Sequence, residues 1–245
     1  MQHAISIVTG ASRGLGLAVV EQLLARGERV LAIARHAPPL VHQHLTAWSA
    51  DLADPAPVAA RLADWLAALD PRAVSAVNLI NNAGVVSTPG PLAHGDSSEL
   101  SNALRVGLEA PLLLTAAFLR ATGGWTVPRK VVLVSSGLGR RAMAGSASYC
   151  AAKAGMDHLA RAVALEEATQ AHGARIVSLA PGVIDTEMQG RLRAADPALF
   201  PEHGLFVGLK NEGKLDSPAS AAAKLIRFLD RSDFGADPIG DVRDA

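Results

Sequence analysis

Cysteine is nearly absent. The one thiol, Cys150, cannot close a disulfide within the chain, which excludes a disulfide framework and suits a reducing compartment. An excess of either charge is missing too: Lys plus Arg number 23, Asp plus Glu number 23, and no like-charge run occurs. That balance argues against a nucleic-acid or anionic-membrane surface. The first residues, MQHAISIVTG, lack the basic segment and apolar stretch of a cleaved leader. The longest apolar stretch, around 110–119, is too short and too mixed to span a bilayer. Internal repeats and linkers are also lacking, so the 245 residues are expected to form a single cytoplasmic domain.

What is present is a globular composition, with 49% hydrophobic and 19% charged residues. Apolar, β-branched runs recur along the chain and predict strands at 4–8, 29–34, 45–50, 76–80, 131–134, 175–179 and 239–242. Between them lie amphipathic stretches. Val58, Leu62, Trp65, Leu66 and Leu69 mark one helix opened by Asp54-Pro55. Ser97-Ser98-Glu99 opens a long helix towards Arg120, and Ser217-Pro218 opens the last one. Residues 35–45 have no clear period and read as irregular. This alternation predicts an α/β fold, a doubly wound parallel sheet of about seven strands with helices on both faces. Ligands in such sheets sit beyond the carboxyl ends of the strands.

Two stretches carry chemistry. TGASRGLG, Thr9 to Gly16, places Gly10, Gly14 and Gly16 between the first strand and the first helix. Glycines there allow a tight turn and close approach of backbone to a phosphate, with the helix N-terminus supplying N–H donors. Nucleotide enzymes, methyl transferases and plain turns all use such a motif, and the spacing is not that of a P-loop. The second stretch runs from Val131 to Gly155. Ser135 and Ser136 end a strand, and a helix from near Ser146 to about Ala171 carries Tyr149 and Lys153 four apart, on one face. A phenol beside an ammonium is a plausible proton donor and acceptor, the positive charge favouring phenolate. Tyr149 is the only tyrosine in the chain.

Taken together, TGASRGLG, Asp51-Leu52, NNAG (Asn81 to Gly84), Ser136, Tyr149-x-x-x-Lys153, and Pro181-Gly182 with Thr186 resemble the short-chain dehydrogenase/reductase family along essentially the whole chain. SSG, YCAAKAG, APGVIDTEMQ and LKNEGKLDSP look most like its sepiapterin reductase and benzil reductase group. The resemblance implies a Rossmann-type fold, NADPH-dependent reduction of a ketone or vicinal diketone, no metal, and a homodimer or homotetramer. It implies a catalytic trio: Tyr149 gives a proton to the carbonyl oxygen, Lys153 lowers the Tyr pKa and holds the nicotinamide ribose, and Ser136 binds the substrate oxygen. It places the cofactor on Gly10, Ser12, Arg13, Gly14, Leu15, Gly16, Arg35, Asp51, Leu52, Asn82, Ala83, Gly84, Pro181, Gly182, Val183 and Thr186. The substrate would meet Leu138, Met143, Met188 and Phe206 under a lid at about 184–216, while Arg140 and Arg141 in the loop before the catalytic helix read as solvated charges. Asp244 falls roughly where sepiapterin reductases hold a pterin.

Charge decides the expected cofactor. An NAD enzyme wants a carboxylate at the end of the second strand. Here that place is Ala34 followed by Arg35, with Arg13 in the glycine turn, so NADP(H) is favoured. One position departs from the family. Where the helix after NNAG usually carries asparagine in V-N-L, this chain has Val106-Gly107-Leu108, and a mid-helix glycine is locally unfavourable. Two other readings stand beside the first: action on another ketone such as a 3-oxoacyl group, and, motivated by Gly107, a non-catalytic NADPH-binding protein.

Overall fold

The computed structural model describes residues 2–244. Seven parallel strands form one sheet: β1 (His3–Thr9), β2 (Arg29–Ala34), β3 (Leu45–Ser49), β4 (Val74–Asn81), β5 (Arg129–Val134), β6 (Arg175–Ala180) and β7 (Ile239–Asp241). Their order is β3-β2-β1-β4-β5-β6-β7. The direction of winding therefore reverses between β1 and β4, and a crevice opens there at the carboxyl ends of the strands.

Every central strand is buried on both faces, which is why the runs read as almost continuously apolar. Alternate residues serve opposite layers. Leu31 and Ile33 of β2 join a core layer with α2 (Pro55–Ala67), α4 (Ala110–Thr122) and α5 (Ala147–Glu167). Val30 and Ala32 join the other layer, with α1 (Gly14–Ala25) and α8 (Pro218–Asp230). Local chemistry starts several of these helices. Pro55 occupies the first turn of α2, and the Ser217 hydroxyl accepts from Ser220 N at the head of α8. For α3 (Ser97–Leu104) the cap is Asp96, one residue before the serines, accepting from the backbone N–H groups of Ser98 and Glu99.

Helix α3 continues through Arg105–Glu109, wound as one π turn, into α4. The rod Ser97–Thr122 reaches the length and apolarity of a membrane span, more than the apolar stretch at 110–119 suggested. Half of its most apolar window is buried inside the domain, with Ala110, Leu114, Ala117 and Phe118 in the core. Helix α5 stops at Glu167, short of the end expected near Ala171. The Glu167 carboxylate turns back to accept from Ala174 N and to pair with buried Arg129 at 3.2 Å.

The expected lid is a loop zipped at its base. Ile184 bridges Asp216, Asp185 N donates to Asp216 O, and Asp216 N donates to Val183 O. It carries α6 (Glu187–Arg193) and α7 (His203–Asn211). A small apolar cluster of Met143, Leu192, Phe200 and Phe206 fastens it to the loop before α5.

Candidate active site

One cleft of about 1120 Å³ runs along the carboxyl ends of the strands. That exceeds the usual room for a single small ligand, so it suits a dinucleotide with a substrate beside it. Every residue expected to touch the cofactor lines it, from Gly10 through Thr186.

At one end the glycine turn locks onto the end of β4. The Thr9 hydroxyl accepts from the backbone N–H groups of both Asn82 and Ala83 at 3.0 Å. Asn82 Nδ2 donates to Thr9 O at 2.9 Å and Gly10 O at 3.3 Å. Its amide thus serves the turn itself, a structural task beyond the cofactor contact the resemblance implied. Gly10 has φ +64°, and a Cβ there would stand 2.9 Å from Ala83 Cα, so only glycine fits. The first turn of α1 carries no acid and no side-chain cap, leaving N–H donors for an anion. These features fit a dinucleotide pyrophosphate.

At the floor of the cleft lie Ser136, Tyr149 and Lys153. The Ser136 hydroxyl is fixed at the end of β5 by accepting from Leu138 N at 3.2 Å. Lys153 is 4% exposed and donates to the Val134 carbonyl at 2.6 Å. Burial pushes its ammonium down to about 8, against the pull of the Asp157 carboxylate. The Tyr149 phenol is raised above its usual value, mainly by burial, and the Ser136 hydroxyl partly offsets this. The expected lowering by Lys153 is not what the geometry gives. The ammonium stands 5.5 Å from the centre of the Tyr149 ring and is directed at a backbone carbonyl.

The far end is apolar. Leu138, Met143, Met188 and Phe206 line it as expected, joined by Leu192, Leu205 and Leu209. Asp244 does not line the cleft and is exposed in the last 3₁₀ turn. The short strand β7 instead presents Asp241, which pairs with Arg243 at 2.6 Å. Arg140, read as solvated, folds inward and donates to the Gly240 carbonyl at 2.8 Å. Asn102, from α3, also reaches the cleft, and no motif marked it.

Gly107 has a packing reason. It is buried at the centre of the π turn, and a Cβ would lie 3.1 Å from the Ala152 Cβ on α5. Its neighbour Leu108 fills the space that glycine leaves at Gly155. Gly107→Asn is therefore expected to overpack this contact and cost about 1–3 kcal/mol in urea unfolding. An unchanged midpoint would show that the two helices yield freely.

Residues 4–197 match the family model for short chain dehydrogenases. The chain is 34% identical over 243 residues to benzil reductase ((S)-benzoin forming) of Bacillus cereus, covering 96% of both chains. It is 32% identical over 250 residues to sepiapterin reductase of Meriones unguiculatus, covering 94% of this chain and 93% of the relative. Among solved structures, a short-chain dehydrogenase/reductase from Burkholderia vietnamiensis superposes with a TM-score of 0.65 at 36% identity, over 99% of this chain and all of the other.

Proposed function

The chain belongs to the short chain dehydrogenase family, and on that premise we propose that it reduces a ketone or vicinal diketone with NADPH, taking the proton from Tyr149. The observation that carries this reading is the continuity of one cleft, from the glycine turn past Ser136, Tyr149 and Lys153 to an apolar pocket under the lid. The benzil and sepiapterin reductases among its relatives supply the substrate class.

A bound nicotinamide supplies hydride to the carbonyl carbon. The chain's own residues do the rest. A phenol whose pKa is raised stays protonated at neutral pH, as a donor to a carbonyl oxygen must be. The alkoxide that forms is a far stronger base than phenolate, so transfer is downhill. Ser136, fixed at the strand end, offers its hydroxyl to the same oxygen. Lys153, with a pKa of about 8, remains mostly charged at neutral pH and brings an ammonium to the cleft, where it would hold the nicotinamide ribose. The apolar walls under the lid exclude water and accept the flat, carbon-rich flanks of an aryl ketone.

NADPH preference rests on Arg35 and Arg13. Both line the cleft, and Ala34 stands where a carboxylate would hold a 2′-hydroxyl. Arg13 is already paired with Glu187 at the head of α6, so Arg35 is the cation readier to meet a 2′-phosphate. Charge-assisted hydrogen bonds contribute roughly 1.5–3 kcal/mol. NADPH should bind at least about tenfold more tightly than NADH, and Arg35→Asp should narrow or reverse the gap. Equal dissociation constants in a fluorescence titration would refute the preference.

A further inference from the structure

Behind the cleft lies a buried carboxylate that the mechanism above does not use. Asp157 stands one turn beyond Lys153 on α5, is 1% exposed, and does not line the cleft. Its Oδ1 accepts from the Ser135 hydroxyl at 2.6 Å and from the Ser178 hydroxyl at 2.7 Å. The catalytic helix is thereby tied to the end of β5, next to Ser136, and to β6. Oδ2 has no hydrogen bond, and its charge partner is Arg140 Nε at 3.4 Å. Gly139 keeps this approach open, since a Cβ there would fall 2.8 Å from Oδ2 and 2.9 Å from the Lys153 carbonyl.

We propose that Asp157 is a positioning residue that acts through Lys153: from outside the cleft, and balanced by Arg140, it holds the ammonium charged and keeps the Tyr149 helix in register with Ser136. The inference rests on the carbonyl-reductase reading for its catalytic consequence only. Asp157 lies four residues from Lys153 on α5, so the two buried groups share one helix face, and its charge opposes the burial that works against the Lys153 ammonium. The other charged or titratable groups around the pair are few. Tyr149 and Cys150 lie on the same helix, and Arg140 comes from the loop after β5. From β7, Asp241 stands 3.9 Å from Arg140 and is itself neutralised by Arg243. Neither Ser135 nor Ser178 carries charge, so the anion is balanced mainly by Arg140.

Two substitutions move this balance in opposite directions. Asp157→Asn keeps an oxygen for the two serine hydroxyls and removes the anion, so Lys153 should lose its proton at lower pH than in the wild type. Arg140→Gln leaves the anion less compensated, so Lys153 should hold its proton to higher pH. Each midpoint should move by about half a pH unit or more. The primary readout is competitive acetylation of amines across pH, followed on the Lys153 peptide by mass spectrometry; it needs neither cofactor nor turnover. The alkaline limb of kcat/KM for a diketone should follow the same two shifts. A midpoint that stays in place in both variants, or moves the same way in both, overturns the proposal. Should Asp157→Asn not fold, Arg140→Gln alone decides by the sign of its shift, because Arg140 is partly exposed and lies off the helix. Shifted acetylation midpoints in a protein without turnover would uphold the charge coupling and overturn the reductase reading instead.

Discussion

Tyr149→Phe should lower turnover of a diketone by roughly 10²–10⁴, the range for removing a positioned general acid, while leaving NADPH binding within a few-fold of wild type. Phenylalanine keeps the ring, its packing and its place above Lys153, and removes only the oxygen. The raised phenol pKa makes the effect asymmetric. In the reduction direction the wild type keeps a protonated donor well above neutrality. For alcohol oxidation the same phenol must first be deprotonated, which burial opposes. Stopped-flow turnover with saturating NADPH reads the loss directly. Near-normal turnover in the variant would remove Tyr149 from the mechanism.

Lys153→Met should abolish most turnover and, at the same time, stabilise the fold. The folded-state pKa of about 8 lies below the 10.5 of a free lysine. The folded protein therefore binds this proton less tightly than the unfolded chain does, and below pH 8 the charged form is carried at a cost. A shift of that size corresponds to about 3 kcal/mol at neutral pH. Methionine removes the charge in a similar volume. It also leaves the Val134 carbonyl without its donor, which returns about 1 kcal/mol. The net gain should be about 2 kcal/mol at pH 7. The pH dependence gives the sign independently: wild-type stability should rise from about pH 8 to about 10.5 as the unfolded chain becomes the better proton binder, and the difference from the variant should shrink over that window. Parallel urea titrations at pH 7 and 10 measure both. A destabilised variant, or a gap that does not depend on pH, would mean that Lys153 carries little burial strain.

The parts that periodicity and turn chemistry govern were open to reading. All seven strands, the glycine turn and the Tyr149–Lys153 face follow from residues close together in the chain, and the strands fall within a few residues of expectation. What escaped is chemistry assembled by the sheet from distant segments. Arg140 looked like a surface cation beside Arg141 until α5, β6 and β7 brought Asp157, Ser178 and Gly240 to it. Asp241 was passed over in favour of Asp244 because three residues of strand, not the distance from the terminus, decide which carboxylate enters the cleft. Gly107 looked like a lost functional side chain. The contact with Ala152 explains the glycine by packing, on a surface that the helix pattern alone does not specify. The end of α5 was overextended because the Glu167 pairing with Arg129 lies beyond any local signal.

The central claim is that this cleft reduces a carbonyl with hydride from NADPH and a proton held by Tyr149. The most direct measurement mixes purified protein, NADPH and benzil, and follows cofactor absorbance and product together. The account predicts one NADPH consumed for each hydroxyketone formed, with no consumption when the diketone is left out. A protein that binds NADPH tightly yet oxidises none of it, with benzil and with a panel of pterin and 3-oxoacyl ketones, would contradict the account and leave a cofactor-binding protein without catalysis.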